Sequence, residues 1–392
     1  MRFSAPALVI SLVMAAASPP ALAAPCGGAF STFVAAMKTE AVQSGLTKAE
    51  ADRFFRGITQ DAKVLKADRS QGVFRKPFTD FARSLISQSR IDNGRANARK
   101  YAALFDRAEA EYGVPRGILL AFWAFETDFG AFQGNYNTAN ALATLAHDCR
   151  RPELFQPQLL AAMKLWQKGM FDPATTTGAW AGEIGMVQML PSDILERGVD
   201  GDGDGKVDLK TSVPDAILSG ARVLRDLGWR AGKPWLQEVT LPPNLPWEKT
   251  GLRTQLPTAE WAAMGVAPRQ GDFANLPASI LLPEGRKGPA FIAYPNYSIL
   301  FAWNQSFVYV TTAAYFANRL TGAPVFNSGR PDPQLSINQT KDLQTKLQRR
   351  GYDVGGVDGI LGTNTRDAVR REQSRLGLPA DGWPTHALLN AL

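Results

Sequence analysis

Residues 118–130 read ILLAFWAFETDFG, an apolar run that includes Phe122, Trp123 and Phe125 and carries a carboxylate, Glu126, near its end. Burying a charge is costly unless it is paired, so a carboxyl in such surroundings tends to stay protonated where an exposed one would ionise. Protonated near neutral pH, it is a general acid. The plainer reading is a helix that surfaces at its C-terminal end and shows Glu126 to water. Other chemistries find little support. His147 and His386 are the only histidines and lack zinc-type spacing. A Ser-His-Asp triad would need one of them, and no nucleophile-elbow motif is present.

A second cluster of potential ligands lies in VDGDGDGKVD, from Val199. Asp200, Asp202 and Asp204 alternate, Gly205 stands at the sharp turn, and Lys206 occupies the seventh position, where such loops offer a backbone carbonyl. This is the start of a calcium loop of the EF-hand type. Asp208 holds the ninth position, but the twelfth is Thr211 rather than a bidentate Glu. We therefore read a longer loop closed by Asp215, holding a structural Ca2+ or another hard cation. The alternative is a solvated acidic turn.

These residues need elements to hold them. The pattern is helical from about Ala29 to Arg107, with Phe30, Phe33, Val34 and Met37 at helical spacing. A helix starting at Val114-Pro115 and ending near Gly130 would put Glu126 in its last turn. Further helices are predicted through Leu159–Trp166, Asp215–Leu227 and Ser306–Leu320. Between Gly228 and Ser298 prolines multiply and helical periodicity fades, which predicts a loop-rich insertion with short strands. The stretch TGAPVFNSGRPDPQ, from Thr321, reads as a linker.

With 392 residues the chain is long enough for two or three domains. Residues 1–23 follow the secretory pattern: Arg2, an apolar middle, and Ala21-Leu22-Ala23 at the cleavage site. The apolar stretch is too short for a convincing membrane span. Pro25 before Cys26 argues against lipid attachment there. In an oxidising compartment the two cysteines, Cys26 and Cys149, are expected to pair, the alternative being two separate thiols. Formal net charge is +7, and +6 once Arg2 is removed with the signal segment. A basic exported protein suits an anionic polymer or membrane surface; no nucleic-acid motif is present.

The C-terminal segment has two related stretches. Leu343-Gln344, Leu347, Gly351-Tyr352, Asp358-Gly359, Gly362 and Thr365 recur in shortened form as Gln373, Gly377-Leu378 and Asp381-Gly382-Trp383. Over residues 336–392 this resembles the peptidoglycan-binding domain type 1, a small three-helix module, although Glu372 stands where that family usually has an aromatic. The catalytic stretch then takes on a meaning. FETDFG at 125–130, GEIGMVQMLP at 182–191, the aspartate-rich loop, and YSIL at 297–300 leading to Trp303-Asn304-Gln305-Ser306 and Tyr309 resemble, in that order, the membrane-bound lytic murein transglycosylase B family. Departures are Ala179 before Trp180, where relatives often have Ser, together with Met186 and Trp303; they bear on substrate preference more than on reaction type.

The resemblance implies an α+β, mainly helical fold: a lysozyme-like catalytic body (24–325) with the small-strand insertion, a linker (326–335) and the wall-binding module (336–392). It assigns the catalytic acid to Glu126 and substrate contacts to Gln188, Trp303, Asn304, Tyr309 and Trp180, with Trp303 and Tyr309 offering faces to sugar rings. Ordinary glycosidases use two carboxylates. Asp128 would point away on a helix and reads as a capping or surface residue, and Glu183 is a tuning residue at most. A lytic transglycosylase needs only one, because the muramoyl C6 hydroxyl attacks intramolecularly. No cofactor enters that chemistry. The implied location is the periplasm. The implied partners are peptidoglycan glycan strands and, beyond them, proteins of cell-wall synthesis or remodelling. A hydrolytic muramidase and a non-catalytic wall-binding scaffold are the alternatives.

Overall fold

The computed structural model describes residues 24–70 and 76–392; the expected secretory segment, 1–23, lies outside the described residues. At the centre is the helix Arg116–Thr127, entered through Pro115 and buried at nine of its 12 residues. A helix apolar on all sides has to be surrounded. Its main neighbour is Phe307–Leu320, buried continuously from Phe307 to Ala317. The two approach closely because position 117 is glycine: a Cβ there would sit 3.1 Å from the Ala317 carbonyl oxygen. Helices Gln88–Lys100, Ala102–Tyr112 and Val213–Asp226 complete the packing around the central helix. Thr138–His147 and Pro152–Gln167 form an adjoining pair.

The predicted insertion is a five-stranded antiparallel sheet, in the order Leu256–Pro257, Pro277–Leu281, Phe291–Ala293, Leu236–Thr240, Ala267–Pro268. Ser279, Ile280 and Leu281 pair with Ala293, Ile292 and Phe291. Alternation divides the sheet between two cores. Leu281, Phe291 and Ala293 face the helical body, while Ile280, Ile292 and Val239 close a second cluster over Trp261 and Tyr294. A two-residue pairing, Tyr136–Asn137 with Thr177–Gly178, braces the loop carrying Gln188.

The C-terminal module has three helices, Ile337–Arg349, Thr363–Arg375 and His386–Ala391, around Leu343, Leu347, Val369 and Leu388. Glu372 is fully buried and accepts from the Tyr352 hydroxyl (2.9 Å) and the guanidinium of Arg375 (2.7 Å), with Arg350 at 3.3 Å. An ionic network therefore fills the place of the family's usual aromatic. The linker is no free tether. Phe326 and Leu335 are buried, the Phe326 amide donates to the Tyr315 hydroxyl, and the Arg330 amide to the Lys287 carbonyl. Cys26 and Cys149 are disulfide-bonded. Among the described residues no helix is long and apolar enough to cross a membrane.

Candidate active site

Glu126 lies in the last turn of the central helix, half-buried. Its Oε1 accepts a 2.5 Å hydrogen bond from the Tyr309 hydroxyl. Phe125 packs edge-on to the Tyr309 ring, and Phe122 stacks on Trp303 at 4.8 Å. Loss of water around the carboxyl pushes its pKa up to about 7; the Tyr309 hydroxyl opposes the shift, nearby Glu183 adds to it, and a contact from Trp303 opposes it weakly. Glu126 keeps some exposure, but protein atoms crowd the carboxyl closely enough to replace most of its hydration. Burial and the Glu126 charge together hold the Tyr309 phenol well above its ordinary pKa, so it remains a hydrogen-bond donor.

The backbone reverses sharply after the acid. Asp128 (φ 50°), Phe129 (φ 61°) and Gln188 (φ 53°) are the only non-glycine residues with positive φ among those described. Asp128 and Phe129 follow Glu126 within three residues and Gln188 lies two residues beyond Met186, which Thr127 contacts; such strain concentrates at functional sites. Two side chains hold the reversal. The buried Thr127 hydroxyl donates to the Met186 carbonyl at 2.6 Å and accepts from the Gly130 amide at 2.9 Å. Arg90 pairs with Asp128 at 2.9 Å and donates to the Leu85 carbonyl at 2.7 Å. Asp128 stands past the helix end, so helix geometry does not place it; as the left-handed C-cap, engaged by Arg90, it is the capping residue expected. Thr127 and Arg90 were not picked out from sequence. Thr127 adjoins the acid, but only the fold shows that its hydroxyl ties two loops together.

The structure brings Tyr309 and Trp303 to Glu126 from two separate segments. Gln188 is fixed by its Nε2, which donates to the Gly185 carbonyl at 2.7 Å and to the Gln133 carbonyl at 3.4 Å. Asn304 Oδ1 accepts from the amide of Ser306, the N-cap of the next helix, at 2.9 Å, while its Nδ2 finds no partner among the described residues. Trp303 and Tyr309, expected to present faces to sugars, differ in how far they are covered. Phe122 covers one face of Trp303, and Tyr309 is only 7% exposed, with its hydroxyl committed to Glu126. Trp180 is half-buried on the neighbouring loop. Glu183 is half-buried there too; its Oε2 is sequestered without a partner among the described residues, and burial raises its pKa.

Of the six expected cation ligands, three converge. The carboxylates of Asp200, Asp202 and Asp204 lie within 4.8 Å of one another. Three hard oxygen donors on a loop turned by Gly203 and Gly205 (φ 80° and 89°) fit a hard cation. Asp208 and Asp215 are not part of that cluster. Asp215, fully buried, accepts from the amides of Gly201 (2.9 Å) and Asp208 (2.7 Å) and from the Ser212 hydroxyl (2.8 Å). Asp208 accepts from the amides of Lys210 and Thr211. Both shape the loop. The Lys206 amide donates to Asp204, so this residue too has a backbone role.

Comparison with known proteins places this geometry. Residues 29–318 match the family model described as transglycosylase SLT domain, and residues 336–392 that of a putative peptidoglycan binding domain. Membrane-bound lytic murein transglycosylase B of Escherichia coli (strain K12) is 30% identical over 230 residues, 58% of this chain and 62% of that relative, so the match spans less than two thirds of the relative's length. SltB3 from Pseudomonas aeruginosa, in complex with NAG-anhNAM-pentapeptide, superposes with a TM-score of 0.85 at 37% identity, covering 93% of this chain and 99% of that one. The Escherichia coli lytic transglycosylase Slt35, in complex with calcium, gives 0.66 at 25% identity, covering 76% of this chain and 96% of that one.

Proposed function

Because the chain belongs to the transglycosylase SLT family, its first match covering residues 29–318, we propose that it is a lytic transglycosylase. It cleaves the β-1,4 bond between N-acetylmuramic acid and N-acetylglucosamine in peptidoglycan and leaves 1,6-anhydromuramoyl ends. The observation that carries this reading is the single hydrogen-bonded carboxyl of Glu126, held up to about pKa 7 in an apolar niche.

In the first half of the reaction Glu126 gives its proton to the glycosidic oxygen as the C1–O bond breaks. The muramoyl C6 hydroxyl then attacks C1 and returns its proton to the Glu126 carboxylate, closing the 1,6-anhydro ring and restoring the acid. Intramolecular attack carries the rate advantage of proximity, so no water need be positioned. Tyr309 donates to the carboxylate after proton transfer and fixes its rotamer. Gln188 and Asn304 take acetamido and hydroxyl groups, Asn304 through its unspent Nδ2. Trp180 lines the groove beside them.

Residues 24–325 act as the catalytic region and 336–392 as the wall-binding module, with 326–335 joining them. Asp200, Asp202 and Asp204 hold a structural Ca2+, supported by their mutual proximity and by a calcium-bound relative. Such a cation fixes the loop between helices Pro191–Arg197 and Val213–Asp226 and takes no part in bond breaking. The protein works in the periplasm after cleavage at about residue 23, in keeping with the disulfide.

Mass spectrometry of the soluble products from purified sacculi tests the proposal. The mature protein is expected to release anhydromuropeptides and Glu126→Gln none. Reducing-end products would show a hydrolase instead. Sacculus binding without release by either protein would reduce the chain to a scaffold.

A further inference from the structure

The segment that begins at Ala24 is held against the catalytic body. Ala24 is 6% exposed and belongs to the main apolar core. Its carbonyl accepts from the buried Gln156 side chain at 2.7 Å. Two residues on, Cys26 is bonded to Cys149, and the Gly27 amide donates to the His147 carbonyl at 2.8 Å. These tethers fix Ala24 in place.

Beside it stands an acid that the rest of the fold does not satisfy. Helix Phe30–Gln43 buries Phe33, Met37 and Ala41, and Glu40 lies at the margin of that face, half-buried. Burial pushes its pKa up, opposed by a hydrogen bond from the backbone N–H of Ala24. That bond reaches only one carboxyl oxygen. The other, Oε2, is shut off from solvent and has no partner among the described residues. No lysine or arginine among them pairs with Glu40; Lys38, two residues back, is turned to Asp52 at 2.8 Å. A peptide N–H offers one proton and no net charge, so the carboxylate is left half-satisfied, and a sequestered acceptor without a donor costs stability.

The expected cleavage after Ala21-Leu22-Ala23 changes the chemistry of that one nitrogen. Hydrolysis of the Ala23–Ala24 bond by a signal peptidase places the hydroxyl of water on the Ala23 carbonyl and a proton on the Ala24 nitrogen. The product is a primary amine, protonated below roughly pH 8. Three N–H donors and a positive charge then stand where a neutral amide stood.

We propose that the α-ammonium of Ala24, created when residues 1–23 are removed, pairs with Glu40 and completes the catalytic body. The proposal rests on the reading that the chain is cleaved at this bond on export, and it adds what the cleavage does to the fold. The added donors serve the oxygen that the amide leaves bare, and the cation balances the carboxylate. Because the tethers already pin the segment, forming the pair orders little further chain. Signal removal is therefore a stabilising step: the precursor keeps a half-satisfied acid beside its first helix, and the mature enzyme keeps an ion pair.

The intact mass of the exported protein reads its N-terminus first. A mature chain that does not begin at Ala24 overturns the cleavage reading and the proposal with it. The pair is tested separately by thermal melting of four disulfide-bonded forms near neutral pH. Each begins at Ala24, with the α-amine free or acetylated, and carries either Glu40 or Glu40→Gln. Acetylation restores the neutral amide that the precursor has at this atom. With Glu40 in place, the free amine is expected to raise the melting temperature by at least about 2 °C. In Glu40→Gln that gain should vanish. The substitution itself should lower the melting temperature of the free-amine form and leave the acetylated form unchanged or more stable, since it removes an unpaired acid there. A gain that persists in Glu40→Gln, or no gain in either background, overturns the pair and leaves the cleavage reading standing.

Discussion

At the scale of single residues, the protonation of Glu126 governs behaviour. A general acid with a pKa of about 7 loses its proton above neutrality, so activity should fall as pH rises through that value. The Tyr309 hydroxyl favours the ionised form, so Tyr309→Phe should move the alkaline limb of the kcat/KM profile to higher pH while lowering its plateau. Glu183 acts in the opposite sense. Its charge raises the Glu126 pKa, and Glu183→Gln should move the limb to lower pH. A limb unmoved in both variants would disconnect these groups from the acid. The same pKa carries a stability cost. Glu126 titrates near 4.5 when unfolded and near 7 when folded, so the native state binds more protons between these values and stability declines as pH rises across them. The loss is on the order of 3 kcal/mol above pH 7. Glu126→Gln should therefore raise the melting temperature at pH 8 and change it little at pH 4, as scanning calorimetry at the two pH values would show.

At the scale of elements, the aspartate-rich loop invites a direct test. Asp200, Asp202 and Asp204 repel one another without a cation, although their loop is also shaped by backbone donors to Asp208 and Asp215. Chelation should lower the melting temperature, and added Ca2+ should restore it. Asp202→Asn should abolish that response, while Asp215→Ala should destabilise the loop with or without calcium, because two backbone amides lose a buried acceptor. A melting temperature indifferent to chelator would leave a solvated acidic turn. The central helix makes a related point about legibility. Its apolar run gave its position to within a few residues, but its end at Thr127 depends on the Asp128–Gly130 reversal, whose partners Arg90 and Met186 are remote in sequence.

At the scale of the whole molecule, catalytic body and C-terminal module form a shared interface. The loop after strand Pro277–Leu281 lies between them: Glu284 accepts from Thr79 on the body, while Pro283 and Leu282 receive Arg366 from the module. Gly285 (φ 74°) permits this approach, since a Cβ there would come within 2.6 Å of Trp383. Arg366→Met keeps the bulk and removes the donors, stranding buried carbonyls at about 1–3 kcal/mol each. It should loosen the module, seen as faster amide exchange across residues 335–392 with the catalytic helices still protected. Unchanged exchange would mean that apolar packing alone holds the joint.

Sequence by itself determined much of this protein. Apolar periodicity placed the helices, the carboxylate within an apolar run marked Glu126, alternating aspartates marked the loop, and motif order pointed to the family. These are local signals, written in consecutive residues. Tertiary structure decided which atoms meet. It covered one face of Trp303 with Phe122, committed the Tyr309 hydroxyl to Glu126, assigned Asp215 to backbone amides, and engaged Asp128 with Arg90. It also seated the supposed linker and module on the body. Most of these depend on pairing between residues far apart along the chain, and spacing in a single sequence carries no record of such pairing.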